Sequence, residues 1–139
     1  VRSSVGNFAN PSHSEFEDFG EILIHGDKGQ GYIRVDWYTP DALPNWGDGR
    51  LIILGTEGYI ELRKYVDVAG RDGIDHLFLV NKKKCEYIDA SKEPLTYFGN
   101  LMNDVLNRTE TAMKQSHCLK VMKLAIEAQT SAKRLGNLR

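Results

Sequence analysis

The side chains best suited to chemistry lie in the segment Asn45-Trp46-Gly47-Asp48-Gly49-Arg50. It sets an aromatic plate, a carboxylate and a guanidinium on alternate positions, with glycines between them. Asp48 can accept hydrogen bonds from hydroxyls and Arg50 can donate them. The Trp46 indole can pack on the face of a ring. Together these groups suit a polyol. The same residues also support a structural reading, in which a buried Trp46 and an Asp48–Arg50 contact simply pin the loop. The sequence leaves both readings open.

Elsewhere the chemistry thins out. The four histidines, His13, His25, His76 and His117, lack metal-ligand spacing. His25 and His76 fall in strand patterns and read as packing or surface residues. His13 sits in a loop from which it could reach a site. Glu15, Glu17, Asp18 and Glu21 read as a solvated strand entry rather than a metal site. Gly26, Gly29 and Gly31 do not make G-x-G-x-x-G, and they join strand to strand. A phosphate cradle needs a helix N-terminus at that point. No Walker pattern is present. The residues themselves therefore offer candidate substrate contacts in Trp46, Asp48 and Arg50, and no catalytic, cofactor-binding or metal-binding set.

The 139-residue length suits one domain with a real core, and 41% hydrophobic with 27% charged residues is ordinary for a soluble globular protein. A net charge of −1 argues against a nucleic-acid partner. The single basic run, Lys82-Lys83-Lys84, reads as a solvated turn. No apolar run approaches the roughly 18 residues of a transmembrane span, and the N-terminus has no signal-peptide pattern. Asn107-Arg108-Thr109 matches a glycosylation pattern that has no meaning without secretion. Two cysteines, Cys85 and Cys118, make neither a disulfide framework nor a zinc motif. Cys118 reads as a small core residue. These features point to a reducing cytoplasm.

The elements that must position the candidate loop are strands. An extended segment is expected within Val1–Ala9, then strands over Phe19–His25 and Tyr32–Tyr38, joined by the turn Gly26-Asp27-Lys28-Gly29. In the second strand Ile33, Val35 and Trp37 share one face, and Tyr32, Arg34, Asp36 and Tyr38 the other. After the long loop come Arg50–Leu54 and Tyr59–Lys64, linked by the tight turn Gly55-Thr56-Glu57-Gly58. His76–Val80 and Cys85–Ile88 form a further hairpin.

The last third is helical. Pro94 suits a first turn, and Phe98, Leu101, Met102, Val105 and Leu106 recur at the spacing of one buried face. A polar break over Asn107–Lys114 precedes a final helix with Ser116 as candidate N-cap. That helix is expected to bury Leu119, Met122 and Ile126 with Gln129 on one edge, and Cys118, Val121, Ala125, Ala128 and Ala132 on the other. Gly136 is a plausible stop. Strands followed by helices predict an α+β fold, a mostly antiparallel open sheet with helices packed on one face. Leu51-Ile52-Ile53-Leu54 and Leu77-Phe78-Leu79-Val80 are apolar on both faces. A one-sided sheet should alternate there, so either the strand centres carry extra apolar area or a partner chain covers the second face.

Several runs carry a resemblance. They are Glu15-Phe16-Glu17-Asp18-Phe19-Gly20, Gly31 through Pro40, Trp46-Gly47-Asp48-Gly49-Arg50-Leu51 and Gly55 through Lys64. The final helix segment Leu124-Ala125-Ile126-Glu127-Ala128-Gln129 completes the pattern. In this order they resemble the C-terminal domain of the Gfo/Idh/MocA oxidoreductases. The resemblance implies that residues 1–139 are a single substrate and oligomerisation domain of a two-domain dehydrogenase. Such enzymes use NAD or NADP on sugars, inositols or related polyols. In that family the Rossmann half and its catalytic Lys, Asp and His precede these strands. This chain is therefore expected to hold no cofactor and to be inactive alone. Its implied partners are the small-molecule sugar or polyol substrate and a second copy of itself. The second copy would dock on the open sheet face bearing Tyr32, Arg34, Asp36 and Tyr38. The alternative is a stand-alone sheet module that binds a ligand or partner without redox chemistry.

Overall fold

Alternating side chains and two-residue glycine turns build hairpins, and hairpins account for most of this chain. The structure, a computed structural model, describes residues 1–136. In chain order the elements are β1 Arg2–Gly6, β2 Phe19–Gly26, β3 Gly29–Asp36, β4 Arg50–Gly55, β5 Gly58–Lys64, β6 Asp75–Asn81, β7 Cys85–Asp89, α1 Tyr97–Asn107, α2 Gln115–Thr130 and β8 Lys133–Leu135. The α+β class and the antiparallel pairing hold. The strands, however, divide between two four-stranded sheets, ordered β3-β2-β1-β8 and β4-β5-β6-β7. The chain correspondingly forms two compact units. One comprises Val1–Tyr38 and the described residues from Thr96 onward; the other is Thr39–Leu95.

In the first unit β1 pairs antiparallel with β2, and β2 with β3, while β8 adds a parallel edge to β1. Helix α2 lies against β1, where Ser3 Oγ donates to Ala128 O at 2.6 Å. Ala128 is the one buried apolar residue among those described. Among the described residues of the expected helix stripes only Ala128 is buried as read; Phe98 is 69% exposed and Ile126 60%. Their spacing is helical and amphipathic, but no described element covers them. The N-cap expectation at Ser116 also fails. Lys114 holds the cap position, and the Glu110 carboxylate takes the Gln115 amide at 3.1 Å. Pro94 lies outside α1, which begins after Thr96. Gly136 has the expected positive φ of 73° but follows β8, because α2 ends at Thr130.

In the second unit the glycine-bounded turn and the lysine turn behave as read. Gly55 pairs with Gly58 across the β4–β5 hairpin. A Cβ at Gly58 would run into Val80 O, so side-chain absence is a steric requirement there. The three lysines do form a turn, held by Asn81 Oδ1, which accepts from Lys83 N at 2.8 Å and Lys84 N at 3.0 Å.

Candidate functional site

The loop that carries Trp46, Asp48 and Arg50 runs straight into β4. Its last residues continue the sheet: Lys64 N donates to Gly49 O at 2.8 Å, one step beyond the Arg50↔Arg63 pair. Asp48 Oδ2 accepts from Arg50 Nη2 at 2.5 Å and Nε at 3.1 Å. The hydrogen bond from Arg50 holds the Asp48 carboxyl below its ordinary value against the opposing effect of burial, and the Arg50 and Arg63 charges add to it. Trp46 is 83% exposed. The structural reading thus keeps its ion pair and loses its buried indole. The structure brings Asp48 and Arg50 together and leaves the Trp46 ring free in solvent.

The β-sheet register extends this site. Arg50 faces Arg63, Arg63 faces His76, and His76 faces Asp89, so four polar residues form one row across β4, β5, β6 and β7. Directly opposed residues share a face, and the neighbouring row on that face is Ile52, Glu61, Phe78 and Tyr87. His76 is fully buried. Its Nε2 lies 3.2 Å from Gly73 O, which can only accept, so Nε2 donates there; Nδ1 is 2.9 Å from Tyr87 Oη. Both ring nitrogens are thus occupied, and the packing reading of His76 holds. The loop between β5 and β6 reaches this face through Arg71. Its guanidinium stands 4.4 Å from the Tyr87 ring centroid and donates to Asp67 Oδ2 at 2.9 Å.

Arg63 is the residue sequence reasoning missed. It is only 8% exposed, and its Nε has no hydrogen-bond partner among the described residues. The signal was present: a two-residue turn bounded by Gly55 and Gly58 fixes the register, and that register sets Arg63 opposite Arg50.

The acidic cluster at the start of β2 contains a second surprise, in the first unit. Asp18 is fully buried rather than solvated. It accepts from Phe8 N at 2.9 Å, Ala9 N at 2.8 Å, Asn10 Nδ2 at 2.9 Å and Tyr38 Oη at 2.9 Å. Burial pushes this carboxyl up, but these hydrogen bonds outweigh it and hold it well below the ordinary carboxylate range. The Tyr38 hydroxyl is pushed up to about 12 by burial and by its bond to Asp18. Asp18 is a structural anchor. His13 stays exposed, with Nδ1 3.0 Å from Ser12 Oγ.

Among the described residues no group of three or more His, Cys, Asp and Glu side chains could hold a metal ion, and no helix is long and apolar enough to cross a membrane. A concavity of about 460 Å³ lies at the β4–β5 hairpin tip, lined by residues including Leu54, Tyr59 and Val80. Another, of about 450 Å³, lies between Val1 and Lys133 in the first unit. Neither includes Trp46, Asp48 or Arg50.

No protein-family model matches the chain, and no curated protein matches it. A solved structure does. Described as that of a "putative oxidoreductase" from Erwinia carotovora atroseptica SCRI1043, it is 46% identical with a TM-score of 0.91 over 98% of this chain. In sequence and fold the chain resembles a part of that protein. It spans 41% of the length of that solved protein.

Proposed function

We propose that these residues form the substrate-side and oligomer-forming part of an NAD(P)-dependent oxidoreductase of the Gfo/Idh/MocA type, acting on a sugar, inositol or related polyol. The observation that carries the reading is the likeness just described: 46% identity and near-complete coverage of this chain within a longer oxidoreductase-described structure. The exposed Trp46 ring beside the Asp48–Arg50 pair supports the polyol, since those groups offer a stacking face, an acceptor and a donor. The dinucleotide does not fit the glycines at hand. Gly26 and Gly29 close a β-hairpin, with no helix N-terminus at that turn to receive a pyrophosphate. The reading therefore assigns the nicotinamide and the hydride-transfer residues to other parts of the enzyme, and it assigns to this chain the holding of the substrate's hydroxyls.

The test is Arg50→Ala in the enzyme carrying its dinucleotide-binding region, assayed by nicotinamide reduction with a panel of sugars and inositols. The variant is expected to raise KM or lower kcat/KM about tenfold or more, as loss of a charge-assisted hydrogen bond does, with cofactor affinity unchanged. Unaltered kinetics on the best substrate would return the loop to a structural role.

A further inference from the structure

Arg63 presents an electrostatic imbalance that the polyol reading does not absorb. Two guanidiniums, Arg50 and Arg63, stand directly opposed on neighbouring strands, an arrangement that repels unless an anion lies between or beside them. Among the described residues one carboxylate, Asp48, bonds to either of them; it pairs with Arg50, and its charge also acts on Arg63. Glu61 shares the face and makes no ion pair with Arg50 or Arg63 among the described residues. Arg63 is nine-tenths buried, with Nε unbonded and no carboxylate within ion-pair distance among the described residues. A buried charge without a partner is strongly unfavourable. A guanidinium fork also matches a carboxylate in geometry. Asp67, within the β5–β6 loop, likewise leaves its buried Oδ1 unbonded among the described residues while Oδ2 holds Arg71.

We propose that Arg63, together with Arg50, receives the carboxylate of an acidic polyol, so that the ligand of the Trp46–Asp48–Arg50 loop is a sugar acid rather than a neutral sugar. This rests on the polyol reading of that loop and deepens it. Arg63 Nε is itself closed to solvent, so the carboxylate enters beside the exposed Arg50 guanidinium with a shift of the Arg63 side chain that opens its Nε edge, and it screens the two charges from each other. The hydroxyls remain for Asp48, and the carbon chain lies toward the Trp46 ring.

The experiment is an NMR titration of the ¹⁵N-labelled chain, following the Arg63 and Arg50 Nε–H signals and the Trp46 indole N–H. The probes are sodium gluconate, glucitol, glucose 6-phosphate and sodium chloride. Gluconate is expected to shift all three signals and to bind about tenfold more tightly than glucitol. Arg63→Lys, which keeps the charge and loses the fork, is expected to abolish that preference. Equal binding of gluconate and glucitol at Trp46, with the Arg63 signal unmoved, would overturn the acid proposal and leave the polyol reading standing. Shifts at Arg63 and Arg50 without Trp46 would uphold the carboxylate site and sink the polyol loop. Tighter binding of glucose 6-phosphate, or equal shifts with chloride, would overturn the carboxylate assignment. So would an Arg63 signal moved by Asp67→Asn but not by gluconate, since Arg63 would then be paired inside the protein. Silence of all three signals would overturn both readings.

Discussion

Two buried aspartates set the residue-scale energetics of the first unit. Asp104 accepts from Thr109 Oγ1 at 2.6 Å, from Thr111 N and Oγ1 at 2.8 Å, and from Ala112 N at 2.8 Å, and so ties the α1–α2 connection to α1. The Thr109 hydroxyl and the Ala112 and Thr111 amides hold its carboxyl well below the ordinary range, against burial. A carboxyl depressed in the folded state contributes stability that is full above its unfolded value, near pH 4, and is lost as pH falls through the folded value. Asp18 behaves alike. The thermal midpoint is therefore expected to fall steadily below about pH 4. Asp104→Asn is expected to melt lower at pH 7 and to show a shallower acid slope; a slope identical to wild type would contradict this. Gly58 makes a different residue-scale demand, with φ at 156° and Val80 O in the way of any Cβ. Gly58→Ala is expected to cost on the order of 1–3 kcal/mol in chemical denaturation, and a neutral result would mean the β4–β5 turn relaxes freely.

At the scale of elements, the helices depart furthest from what their patterns suggest. The apolar stripe of α2 reads as a face to be buried, and a buried Ile126 would lose roughly 2–5 kcal/mol on truncation to alanine. In the folded chain that side chain is 60% exposed, while Ala128 is 2% exposed against β1. Ile126→Ala is accordingly expected to cost less than about 1 kcal/mol in the isolated chain, and Ala128→Leu about 1–3 kcal/mol through overpacking. Urea melts of the two variants check the order; the reverse order would mean α2 turns its other side to the sheet. The strands behaved more simply. Their hairpin turns and face assignments were legible because a two-residue turn and a period of two determine register together.

For the whole molecule, the dominant fact is uncovered apolar surface. Leu54 is 79% exposed, and Ile33, Val35, Trp37, Leu51 and Ile53 are also exposed, so both sheets present hydrophobic strands to solvent. Patches of this kind mark interaction surfaces. On β3 the apolar residues Ile33 and Val35 lie on one open face and Tyr32, 57% exposed, on the other; the proposed second copy would cover the Tyr32 face. Burial of more than about 1,000 Å² is required for a stable contact. Light scattering at tens of micromolar is expected to give a dimer or larger, and Tyr32→Glu to weaken it. Tyr38→Glu is unsuited to the purpose, because Tyr38 bonds buried Asp18 and its loss would disturb the fold. A monomer mass for wild type would remove the self-association proposal.

The amino-acid order alone was enough for the α+β class, the three hairpins and their strand faces, the lysine turn and the two helices, since each rests on local periodicity and turn chemistry. It also singled out Asp48 and Arg50 as neighbours, two residues apart at a strand entry. Tertiary structure alone decided that the strands split into two sheets, that Asp18 is buried, that Arg63 is buried with no ion-pair partner among the described residues, and that most of the helix stripes lie open. The reason is physical. Burial and charge pairing depend on which distant segments come to cover a residue, such as Phe8, Asn10 and Tyr38 around Asp18, and no period in the sequence encodes that cover.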